Sequence, residues 1–108
     1  MANLQWNKAF ALEQSGDDIE LLRELLDLLK STSISDLEKI KTGLGQDDGE
    51  AVADAAHSIK GAAASLGAEG LRAAAYDIEK KGRSGQQGDV DLLELEELIV
   101  QLDTITLC

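Results

Sequence analysis

Residues 47–68 read DDGEAVADAAHSIKGAAASLGA. Alanine, the strongest helix former, dominates the stretch. Val52, Ala55, Ile59, Ala62 and Leu66 recur at spacings of 3, 4, 3 and 4, which is the apolar stripe of a helix laid against a core. Asp47 and Glu50 open it with a spacing close to a capping box. The helix is expected to run to Leu66, with Gly67 as the left-handed residue that ends it. The pattern restarts at about Ala68 and continues to Lys81, with Leu71, Ala74, Ala75 and Ile78 on one stripe. A connection this short makes the two helices antiparallel neighbours.

The same period appears on both sides of this pair. Upstream, Asp17 or Asp18 is a suitable N-cap for Ile19, Leu22, Leu25, Leu26 and Leu29. The apolar pattern resumes at Leu37, Ile40 and Leu44, so one long helix is expected, with an irregularity near Ser31–Ser35 and a stop at Gly43 and Gly45. A short helix at about Gln5 to Glu13 precedes it, with Trp6 and Phe10 on one face and Ser15-Gly16 at its end. Downstream, GRSGQQGD forms a loop, and Leu92, Leu95, Leu98, Leu102 and Ile105 mark a last helix from about Val90 to Ile105. Lys80, Lys81 and Arg83 are read as a helix terminus complementing its own dipole. The expectation is an all-α chain: one domain over residues 1–108, built as an antiparallel up-and-down four-helix bundle with a short additional N-terminal helix.

Composition agrees and narrows the function. Proline is absent, there is one Trp, one Tyr and one Phe, and 21 acidic against 10 basic residues leave a net charge of -11. Such a surface repels nucleic acid and anionic membranes, so neither is expected as a partner. The single cysteine, Cys108, allows no intramolecular disulfide and no zinc cluster, which fits a reducing cytoplasm. No apolar run approaches the ~20 residues that span a bilayer. The start MANLQWNK lacks the basic and apolar segments of a signal peptide. A cytoplasmic monomer is expected.

His57 is the only histidine, and it lies off the core stripe of its helix. At about 100° per residue, His57, Lys60, Gly61 and Ala64 share another face, directed at solvent or a partner. The bland reading is a solvated side chain, and three neighbours weigh against it. Lys60 can bring an ammonium group to anything attached to the imidazole. Gly61 costs the helix roughly 1 kcal/mol relative to alanine, and a bare backbone on an outward face is explained by close approach of another molecule. Ala64 continues the cleared strip; Ala53 and Ala64 are assigned to partner docking. Residues equidistant from position 68 stand at equal height on the antiparallel pair, so His57 is level with Glu79. A carboxylate there would fix the ring tautomer and leave the other nitrogen as a nucleophile.

The chain resembles the histidine-containing phosphotransfer (HPt) domains of bacterial and fungal phosphorelays. The resemblance covers nearly the whole length: DDIELLRELLDLL at 17–29, then DDGEAVADAAHSIKGAAASLGAEGL at 47–71, close to the family pattern H-S-x-K-G. It implies His57 as phosphoacceptor, Lys60 as the cation beside the phosphoryl group, Gly61 as clearance for a receiver domain, and Glu79 where the family has Gln or Glu to orient the histidine. Ala62-Ala63 departs from members with Ser at the first of these positions. The implied activity is a relay, from a receiver aspartyl phosphate to His57 and on to another receiver aspartate. The implied partners are response-regulator receivers and a hybrid sensor histidine kinase. No cofactor is expected on this chain, Mg2+ belonging to the receiver, and no ATP site is apparent. The alternative is a non-catalytic helical adaptor that binds a signalling partner. A hydrolase built on Asp47, Asp48, Glu50 and Asp54 is weaker, because capping and the helix dipole explain acidic residues at a helix start.

Overall fold

The computed structural model describes residues 3–105. Five α-helices follow one another: α1 (Lys8–Gln14), α2 (Ile19–Gly45), α3 (Gly49–Ser65), α4 (Glu69–Arg83) and α5 (Leu93–Gln101). Short 3-10 turns cover Gln87–Asp89 and Leu102–Thr104. Helix α2 packs on α3, α3 on α4, α4 on α5 and α5 back on α2, which closes a ring of four with α1 against α2. The chain is therefore an all-α helical bundle, 42 × 24 × 18 Å in extent, and α2 runs most of its length. Cys108 lies outside the described residues.

The core is aliphatic. Leu22, Leu29 and Ile40 from α2, Val52 and Ile59 from α3, Leu71 and Ile78 from α4, and Leu95 and Leu98 from α5 are all buried. These are the stripes that the helical period selects.

Several boundaries differ from the sequence expectation for local reasons. Helix α1 starts at Lys8 rather than Gln5, because Asn7 is its cap: Oδ1 accepts from the Phe10 amide at 3.0 Å. Trp6 lies before the helix, in an isolated bridge to Ala68, and its indole Nε1 donates to the Leu66 carbonyl at 3.0 Å. Trp6 and Phe10 thus share no helical face. Helix α2 passes through residues 31–35 unbroken; the Thr32 hydroxyl bonds back to the Leu28 carbonyl at 2.8 Å and so satisfies itself within the helix. The cap of α3 is Asp48, whose Oδ1 accepts from the Ala51 amide at 3.1 Å, while Asp47 precedes the helix at φ 52°. Helix α4 extends to Arg83, and α5 begins at Leu93, three residues after Val90. Gly67 has φ 71°, the left-handed conformation expected of it.

At their far end from this turn, α3 and α4 touch backbone to backbone. A Cβ on Gly82 would lie 2.6 Å from the Gly49 carbonyl oxygen and 3.1 Å from the Ala53 Cβ. This contact fixes the separation of the two helices that carry the site.

Candidate functional site

His57 projects from the middle of α3 with 60% of its side chain exposed. Its Nδ1 lies 2.9 Å from Oε2 of Glu79, three turns along the antiparallel partner α4 from the shared turn. Glu79 is buried in the α3–α4 seam at 8% exposure. A buried carboxylate needs compensating partners, and Glu79 has three. Lys60 Nζ lies 2.7 Å from Oε1, His57 faces Oε2, and Arg83 Nη2 lies 3.8 Å from Oε2. Burial alone would push the Glu79 carboxyl up, but hydrogen bonds from Lys60 and His57, with their charges, hold it below the usual glutamate value. An ionised carboxylate can only accept a hydrogen bond, so the contact matches the tautomer in which Nδ1–H donates to Glu79 Oε2 and the lone pair is on Nε2.

Of the residues singled out in the sequence, His57, Lys60 and Glu79 are brought into one cluster, with His57 hydrogen-bonded and Lys60 ion-paired to the Glu79 carboxylate. Lys60 is turned to the α4 side, onto Glu79, with a quarter of its side chain exposed. Gly61 is exposed, and apart from its own turn of helix backbone a Cβ built there would have nothing within 4 Å. Internal packing therefore gives no reason for a glycine at 61. Ala64 is half-buried on the same strip. Ala53 must be corrected: it is fully buried, covered by Gly82 of α4, and no partner can reach it.

Two further residues belong to the cluster and escaped the sequence reading. Arg83 was expected to do no more than complement a helix dipole. Instead Nη1 lies 2.9 Å from Glu50 Oε2 and 3.0 Å from Asp54 Oδ1, both on the α3 face that leads to His57. Hydrogen bonding to Asp54 and the surrounding carboxylates raise its pKa further. Glu50 and Asp54, attributed to the helix dipole, are thus the partners of Arg83. The second residue is Tyr76, whose ring lies under Lys60 and Lys80 at 5.1 and 4.7 Å from the two ammonium nitrogens. The available signal was the α4 period: Tyr76, Glu79, Lys80 and Arg83 are three, four and seven apart.

A helical bundle presenting an exposed histidine backed by a buried carboxylate and a lysine has the make-up of a phosphoryl-group carrier. The family model described as the Hpt domain matches residues 11–105, nearly the whole chain, and the protein belongs to that family. No curated protein and no solved structure gives a match. Membership defines the general activity, histidine phosphotransfer in phosphorelay and two-component signalling, with receiver domains and kinases as the interacting class. Among the described residues no helix is long and apolar enough to cross a membrane.

Proposed function

We propose that this chain accepts a phosphoryl group on Nε2 of His57 from a receiver-domain aspartyl phosphate and passes it to the aspartate of another receiver. The observation that carries the reading is the 2.9 Å contact between Glu79 Oε2 and His57 Nδ1, which leaves the solvent-facing nitrogen as the free nucleophile.

In the forward step the Nε2 lone pair attacks phosphorus in line with the acyl phosphate P–O bond. The N–P bond forms as that bond breaks, and the receiver's carboxylate leaves. The ring acquires positive charge, which the Nδ1–H···Glu79 hydrogen bond stabilises. In the onward step a carboxylate oxygen of the second receiver attacks phosphorus, the N–P bond breaks and its electron pair returns to Nε2. Little protein-side covalent machinery is needed, because a loose phosphoryl transition state is governed by alignment and charge. We assign Lys60 to the phosphoryl oxygens, Gly61 to the clearance that lets the receiver approach, and Mg2+ to the receiver.

The test is transfer from a phosphorylated receiver. The wild-type protein should gain an acid-labile, base-stable phosphate, and His57→Gln should gain none. Equal labelling of the two proteins rejects the carrier and leaves the helical adaptor.

A further inference from the structure

Lys60 poses a positional problem. A lysine side chain loses much rotamer freedom when it is fixed, so contacts must hold it. Glu79 supplies one at 2.7 Å. A carboxylate, however, occupies an N–H donor and cancels the charge on which a phosphoryl group would draw. The Tyr76 ring holds the ammonium differently. Lys60 Nζ lies 5.1 Å from its centroid, within cation–π range, and a π face attracts a cation without carrying a net charge. Lys80 Nζ lies 4.7 Å from the same centroid. Tyr76 itself is 43% exposed and forms no part of the core. Core packing does not account for an aromatic residue at this position, whereas two ammonium groups on its ring do.

We infer that Tyr76 is a positioning residue for phosphoryl transfer, its ring keeping the Lys60 ammonium beside His57 as the ammonium passes from Glu79 to the phosphoryl oxygens. When the Nε2–P bond forms, the new dianion competes with Glu79 for the Lys60 N–H donors. The ring holds the lysine stem on the α4 flank throughout that exchange, and Lys80 adds a second positive charge to the same flank. The inference rests on the reading of His57 as phosphoacceptor.

The experiment measures phosphorylation of His57 with two donors. One is a phosphorylated receiver; the other is phosphoramidate, whose P–N bond breaks with loss of ammonia and which needs no docking. Tyr76→Phe, which keeps the ring, should retain the wild-type rate with both. Tyr76→Leu should slow both by about two- to five-fold, the span of one partly exposed cation–π contact. In a Lys60→Met background Tyr76→Leu should add nothing further. Tyr76→Met replaces Tyr76→Leu should the latter disturb the melting of α4. A wild-type rate in the ring-less variants, or an equal slowing with and without Lys60, overturns the inference. If no receiver labels the wild-type protein, the carrier reading fails, while the phosphoramidate series still decides the role of Tyr76.

Discussion

At the scale of single residues, the sharpest contrast is between Gly61 and Ala53. Both are small residues on α3 within four positions of His57, and sequence alone assigns both to contact with a partner. Ala53 is small because Gly82 lies against it; Gly61 has open space where a side chain would be. The helical period places a residue around the axis of its own helix, but which neighbour covers it depends on how closely α4 approaches. That approach is set by Gly49 and Gly82, and no pattern within α3 reports it. Gly61 therefore separates stability from function. Gly61→Ala should stabilise the protein by about 0.5–1 kcal/mol, since the added methyl meets nothing and the unfolded chain loses freedom. The same change should slow transfer from a receiver, and Gly61→Leu should slow it more. Thermal melts with transfer rates check both halves, and an undiminished rate in Gly61→Leu would remove steric clearance as the reason for the glycine.

At the scale of elements, the α3–α4 pair is the part on which the site depends. The level of Glu79 with His57 follows from counting outward from the Gly67 turn, because two antiparallel helices of equal rise keep equal height. Height alone does not bring side chains into contact; the close approach of Gly49 and Gly82 does that. Gly82→Ala should force a Cβ onto the Gly49 carbonyl, 2.6 Å away, and lower stability by about 1–3 kcal/mol through overpacking. It should also weaken the 2.9 Å Glu79–His57 contact at a distance of one turn, so transfer should fall although no cluster residue is changed. A Gly82→Ala protein with wild-type melting and rate would show that the two helices are not set by this contact. The helices themselves were legible in the sequence, since α3 to α5 carry a continuous apolar period and α2 carries one interrupted only at residues 31–35. Their ends were less so. Helix α1 starts after its cap Asn7 rather than at Gln5, and Asp48 rather than the adjacent Asp47 caps α3; these choices depend on a backbone turn and on the Trp6–Leu66 and Gln87–Asp47 hydrogen bonds, which join distant segments.

At the scale of the whole molecule, two electrostatic effects oppose each other as the medium is acidified. The net charge of -11 repels itself in the compact state, and acidification through the carboxylate range relieves that repulsion. Glu79 acts in the other direction. Its folded pKa is lowered, so its contribution is complete above the unfolded glutamate value of about 4.3 and is lost as pH falls from there through the folded value. The melting temperature of the wild-type protein should therefore decline below about pH 4.3, as the buried carboxylate is forced to take a proton and release Lys60, His57 and Arg83. Glu79→Gln has no proton to gain. It should be less stable than wild type at pH 7, where a neutral amide replaces the anion that pairs with Lys60 and Arg83 and faces the His57 ring, and the two melting curves should converge under acid. Parallel curves from pH 7 to 3 would mean that Glu79 stabilises the bundle no differently as an anion than as an acid. Its hold on the Nδ1 proton would then have to be sought in the ring contact alone.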